Sequence, residues 1–92
     1  MEVVKGLATS TVDIGRRPID DYIFDIIVRF QEGEDVVVIK GYGDFISKAV
    51  DVYNRLKDRL GDSVELLNVE IGSEKRGRRF RPFIAIHVKR KY

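Results

Sequence analysis

The sequence predicts an α+β domain, a two-layer sandwich of order β-α-β-α-β-β, with a four-stranded mixed sheet, two helices on one face and a protruding hairpin arm between the last two strands. Three observations carry this. Two segments repeat apolar residues at helical spacing, Ile19 to Phe30 and Ile46 to Leu60. Each follows a short run rich in β-branched residues. The chain then closes with two strand-like segments around a polar, glycine-containing stretch. The two βα units favour parallel pairing through right-handed crossovers, and the closing strands favour an antiparallel hairpin. Both helices then cover one face of the sheet.

In chain order, residues 1–9 read as a frayed lead-in, and Ser10 to Ile14 as the first strand. Gly15-Arg16-Arg17-Pro18 breaks it, and proline is tolerated in a first helical turn, where its missing N–H costs nothing. Ile19, Tyr22, Ile23, Ile26, Ile27 and Phe30 form the apolar stripe of the first helix, with Asp20 and Asp21 at the positive end of its dipole. Phe24 and Val28 fall off that stripe, so a second face is apolar as well and is a candidate for a partner contact. Asp35 to Ile39 supplies the second strand, an unbroken apolar run after Asp35.

The stretch from Lys40 to Asp51 follows as a glycine-hinged turn and a helix start. Gly41 and Gly43 permit unusual backbone angles or close approach, and Asp44 stands where an N-cap belongs. The second helix runs from about Phe45 to Leu60 and stops at Gly61. Its expected core stripe is Ile46, Val50, Tyr53 and Leu60, with Ala49 and Leu56 alongside, which turns Phe45 and Val52 toward another side as subunit-contact candidates. From Ser63 to Ile71 the alternation changes phase, and a bulge near Leu66-Leu67 reconciles the two halves. Residues 72–79 form a loop or an extended hairpin tip, and Phe80 to Lys89 the last strand. Pro82 has no N–H to give a ladder, which places it at an unpaired edge or a bulge.

At 92 residues the chain is one domain, assigned to residues 10–92, and its small size makes a dimer that buries more apolar surface a natural expectation. With 43% hydrophobic and 35% charged residues it is globular. The absence of cysteine removes disulfides and thiolate metal sites. No run approaches 18 apolar residues and no signal-peptide pattern opens the chain, so a soluble, cytoplasmic protein without a membrane partner is expected.

Net charge is only +2, but it is unevenly spread. Residues 74–92 hold eight basic side chains against Glu74 alone, while residues 1–73 hold nine basic against fourteen acidic ones. Such asymmetry points to a localised surface for a polyanion.

Catalysis has little to work with. His87 is the only histidine, Ser47 has no visible base, and Asp20, Asp21 and Asp25 lack a calcium-loop spacing. Gly41-Tyr42-Gly43 lacks the third glycine of a dinucleotide fingerprint. No enzyme activity, cofactor or metal is expected. Binding is better supplied. Arg16 and Arg17 follow the first strand; Lys40 and Lys48 flank the turn after the second, which reads either as a seat for a phosphate on exposed backbone N–H groups or as a plain βα turn with nothing bound. In a parallel pair both turns reach the same sheet edge. Lys75, Arg76, Arg78, Arg79 and Arg81 lie on a segment long enough to project as an arm, and arginine holds phosphate bidentately. Tyr42 has two readings, a stacking platform for an exposed base or a turn tyrosine packed on the helix.

Ile14-Gly-Arg-Arg-Pro18 followed by Tyr22, the run from Val38 to Asp51 containing Ile-Ser-Lys-Ala-Val-Asp, Val69-Glu-Ile-Gly-Ser73, the basic segment and Ile84-Ala-Ile86 together resemble the Alba family of archaeal chromatin proteins. The resemblance spans about residues 10–90. It implies homodimers that bind double-stranded DNA, and RNA as a second ligand, without strong sequence preference, associated with the chromosome or nucleoid. Arg16, Arg17, Lys40 and Lys48 match the family's basic positions, and residues 74–81 match a mobile arm that follows the minor groove. Tyr42 and Asp44 replace two arginines common in the family's turn, and a carboxylate there repels phosphate. The basic pair is often lysine in relatives, where acetylation tunes affinity, and arginine does not accept that modification. Leu60 stands where relatives often carry a phenylalanine used between dimers. Two other readings stay open: a dedicated RNA-binding protein, as in an RNase-P-like particle or RNA maintenance, and a protein-interaction module using Phe24, Val28, Phe45 and Val52.

Overall fold

The structure, a computed structural model, describes residues 8–92. Its elements are β1 (Thr9–Asp13), α1 (Ile19–Gln31), β2 (Val36–Tyr42), a 3-10 turn (Gly43–Phe45), α2 (Ile46–Leu60), a second 3-10 turn (Gly61–Ser63), β3 (Val64–Arg76) and β4 (Arg79–Arg90). The sheet order is β1-β2-β4-β3, with β1 and β2 parallel and the other two pairings antiparallel. The expected α+β architecture is therefore observed, including the hairpin. The lead-in expected over residues 1–9 lies outside the described residues as far as residue 7. Beyond it the chain is anchored: the Ala8 carbonyl accepts from the Asp35 and Val36 amides at 2.8 and 3.1 Å, and Thr9 already belongs to β1.

One sheet face carries the core. Val12, Val37, Ile39, Ile84, Ile86 and Val88 meet Tyr22, Ile23, Ile26 and Phe30 of α1 and Ala49, Val52 and Leu56 of α2. The stripe expected for α1 is the one that is buried. For α2 the expected face is rotated. Val52 is 0% exposed and belongs to the core, so it cannot meet a partner, whereas Val50 is exposed. The cause is tertiary: α2 packs against α1 as well as against β2 and β4, and the corner between those neighbours selects Ala49, Val52 and Leu56. Phe45, Ile46, Tyr53 and Leu60 are half-buried at the margin of that core, packed against it with part of each side chain accessible. Val28 is half-buried, while Phe24 is 70% exposed.

The register shift between Leu66 and Asn68 is the expected bulge. β2 ends opposite Phe83, so at Pro82 the strand has a neighbour only in β3, and the missing N–H leaves no gap in a second ladder. Gly41 is a strand residue rather than part of the turn, and Asp44 is not the N-cap of α2. β2 runs on through Gly41, which pairs with Ile84. A Cβ there would stand 2.4 Å from the Phe45 carbonyl oxygen and 2.9 Å from Ala49 Cβ, so Gly41 lets α2 approach the sheet. Gly43 alone of the pair has positive φ, at 53°. Asp44 lies inside the 3-10 turn, and the residue before α2 is Phe45, with no side-chain cap.

Candidate nucleic-acid interface

Parallel pairing brings the ends of β1 and β2 to one sheet edge, and the antiparallel β4 begins there. Four pairs, from Ser73↔Pro82 to Arg76↔Arg79, then continue past the end of β2 to a tight turn at Gly77, whose φ is 60°. At about 3.4 Å per residue this two-stranded ribbon projects roughly 15 Å. It carries Lys75, Arg76, Arg78 and Arg79, all exposed, with no ion pair to any described residue. The loop after β1 presents Arg16, exposed and unpaired among the described residues, and Arg17, whose guanidinium lies 3.6 Å from Asp21 and 5.4 Å from the Tyr22 ring centroid. The turns after β1 and β2 thus share one edge, as expected from parallel pairing, and the arm leaves the sheet at that same edge.

The two lysines are arranged differently. Lys48 of α2 donates to the backbone carbonyls of Gly15 and Arg17, at 2.7 and 2.5 Å. Lys40 points to the open sheet face, where Glu74 reaches across β4 to β2. The Glu74 carboxylate accepts from Lys40 Nζ at 3.0 Å and from the Tyr42 hydroxyl at 3.1 Å. Lys40 Nζ also lies 4.6 Å from the Phe83 ring centroid, and the Arg81 guanidinium lies 4.5 Å from the Tyr42 ring centroid. Both ammonium groups have partners within the fold, Lys40 in Glu74 and Lys48 in the carbonyls of Gly15 and Arg17. Tyr42 packs on the open face, not on a helix, with its hydroxyl taken by Glu74 and one ring face by Arg81. These commitments span 31 to 34 residues of sequence, and no local pattern announces them.

The Glu74 contact leaves an electrostatic signature. Hydrogen bonding to Tyr42 and Glu74, against the opposing effect of burial, holds the Lys40 ammonium protonated well above the usual lysine range. The Lys40 hydrogen bond, opposed by desolvation and assisted by Tyr42, pulls the Glu74 carboxyl below its ordinary value of 4.5. A carboxyl depressed on folding contributes stability above its unfolded pKa and loses it as pH falls through the folded value. The Glu74 side chain, followed by carbon-detected NMR, should therefore titrate below 4.5, and Glu74→Gln should be less stable than the parent at neutral pH but not at acid pH. Titration at or above 4.5 contradicts the contact.

An apolar surface that the sequence reading did not single out lies on the helix-side face of the hairpin. Leu66, Val69 and Ile71 of β3, with Phe80 of β4, point the same way as Ile84 and Ile86 by register. Since α2 covers β2 and β4 and stops short of β3, Ile71 is 77% and Phe80 66% exposed. The signal was present as a strand with an apolar alternation in a chain whose two helices cannot cover four strands.

Residues 10–73 match the sequence profile of the Alba family, which ends where the arm leaves the sheet. The chain is 54% identical over 74 residues to "DNA/RNA-binding protein Alba 2" of Saccharolobus shibatae, covering 80% of this chain and 83% of the relative. It is 39% identical over 64 residues to "DNA/RNA-binding protein Alba" of Nanoarchaeum equitans, covering 68% and 71%. The fold resembles that of Alba from Thermoplasma volcanium, with a TM-score of 0.76 at 24% identity over 87% of this chain and 99% of that one. ALBA1 from Trypanosoma brucei gives a TM-score of 0.77 at 23% identity, over 87% and 68%. With the family profile spanning most of the described chain and the fold agreeing, this chain belongs to the Alba family.

Proposed function

We propose that this protein is a homodimeric, non-enzymatic nucleic-acid-binding protein that coats double-stranded DNA with little sequence preference, associates with the chromosome in the cytoplasm, and takes RNA as a second ligand. The observation that carries this is the convergence of Arg16, Arg17 and the arginine arm on one edge, with no acidic residue on the arm beyond Glu74. Guanidinium groups on a projecting ribbon contact phosphates and enter a narrow groove without reading bases. The names of the relatives, which specify DNA and RNA binding, support the same reading. Engagement of Lys40 and Lys48 inside the fold shifts the grip toward the arginines. No described helix is long and apolar enough to cross a membrane.

Dimerisation is supported by Leu66, Val69, Ile71 and Phe80, large apolar residues exposed on one face of the hairpin. Large apolar side chains exposed together on one sheet face ordinarily mark an interface. A two-fold contact through it sets two arms astride one duplex, multiplying contacts by effective concentration. Light scattering of the nucleic-acid-free protein should give a dimer, and Ile71→Asp a monomer with weaker DNA binding; a monomeric parent protein contradicts this part. Competition among matched duplex DNA, duplex RNA and single strands tests the ligand preference: duplexes outcompeting single strands supports it, and single strands winning favours a stacking-based RNA role.

A further inference from the structure

We propose that Tyr22 and Lys48 are positioning residues, a cross-brace that fixes the loop after β1 so that Arg16 and Arg17 are presented to phosphate. This rests on the binding role given above to those arginines.

The geometry alternates donors and acceptors around one short loop. The Tyr22 hydroxyl oxygen accepts from the Gly15 amide at 2.8 Å and from the Arg17 amide at 3.2 Å. Lys48 Nζ donates to the carbonyls of the same two residues, 2.7 Å from Gly15 and 2.5 Å from Arg17. The residues on both sides of Arg16 are thus tied by N–H and by C=O, while Arg16 itself stays exposed. The ends of the loop are held as well: the Ile14 amide donates to the Lys40 carbonyl at 2.8 Å, and the Asp21 amide to the Pro18 carbonyl at 3.0 Å.

The brace comes from two helices. Tyr22 is buried in the first turn of α1, and Lys48 stands in the first turn of α2 with its ammonium 5.6 Å from the Tyr22 ring centroid. Arg17 lies over the same ring. A compact ammonium suits this task because it delivers several donors from one point, where a planar guanidinium would not. A loop fixed before binding does not have to be ordered by the ligand, so affinity rises without any added phosphate contact. Lys48, basic and at the right edge, reads from sequence as a phosphate ligand; its contacts make it an internal strut.

The two roles separate experimentally. Losing a phosphate contact lowers the salt slope by about 0.9 per phosphate, whereas losing preorganisation shifts affinity at constant slope. Tyr22→Phe and Lys48→Gln should each lower duplex-DNA affinity about tenfold with the slope unchanged. In an Arg16→Gln/Arg17→Gln background Tyr22→Phe should cause no further loss. Amide exchange in the nucleic-acid-free parent should show Gly15 and Arg17 protected, and Tyr22→Phe should release both. A reduced slope for Lys48→Gln, an equal loss for Tyr22→Phe in both backgrounds, or unprotected Gly15 and Arg17 amides in the parent each overturns the brace. If Arg16→Gln/Arg17→Gln itself leaves affinity unchanged while the amides are protected, the binding role of the arginines fails instead.

Discussion

Reversing the charge of Arg16 and Arg17 together, as Arg16→Glu/Arg17→Glu, is expected to lower affinity for every duplex by about 100-fold at moderate salt, with little dependence on sequence. The magnitude follows from what the loop offers. Arg16 is exposed with no described partner, and the exposed Arg17 guanidinium has a long contact to Asp21 and lies over the Tyr22 ring, so both are available to phosphate. In a dimer the substitution converts four attractive positions into four repulsive ones beside a polyanion. Because phosphate contacts position without reading bases, the loss should be nearly equal for unrelated sequences. Both side chains are exposed and outside the core, so thermal stability should scarcely change. Fluorescence anisotropy with three unrelated duplexes measures this; a loss confined to one sequence argues for base reading.

The largest structural effect is expected at Gly41. Adding a single Cβ brings it to 2.4 Å from the Phe45 carbonyl oxygen, 3.0 Å from the Phe45 carbonyl carbon and 2.9 Å from Ala49 Cβ. Two of those three atoms are backbone, at the entry to α2, and cannot swing aside as a flexible side chain would. Relief requires α2 to lift from β2, which disturbs Ala49, Val52 and Leu56, each 0% exposed. Gly41→Ala should therefore cost about 3 kcal/mol, toward the upper end of overpacking penalties, and Gly41→Val more. Urea denaturation followed by circular dichroism measures it. Gly43→Ala tests a different mechanism, since nothing lies within 4 Å of its Cβ position and only its positive φ resists substitution. A Gly41→Ala protein as stable as the parent contradicts the close approach.

Much of the fold was legible because the helices and strands follow simple burial. The stripe of α1 faces the sheet directly, so the helical period alone located Ile23, Ile26 and Phe30. The phase change at Leu66-Leu67 located the bulge, since a strand cannot switch faces without an extra residue. The rotation of α2 was not legible, because the choice between Val50 and Val52 depends on where α1 lies. Gly41 and Gly43 look alike in sequence, yet one serves close packing inside a strand and the other a positive φ. For the interface, chain order placed the turns after β1 and β2 at one edge and charge asymmetry singled out the arm, but that the arm leaves from the same edge follows only from the antiparallel pairing of β2 with β4. The engagement of Lys40 by Glu74 and of Lys48 by the carbonyls of Gly15 and Arg17 required contacts between elements more than 30 residues apart. Basic residues at matching positions thus divide into those that face outward and those that hold the surface together.

The salt dependence of duplex binding tests the central claim most directly. The logarithm of the association constant, plotted against the logarithm of salt concentration for unrelated duplexes, should give one common line with a slope of about −5, equivalent to roughly six phosphates neutralised per dimer. A slope near zero, or slopes that differ between sequences, would contradict a phosphate grip built from the first-turn arginines and the arm.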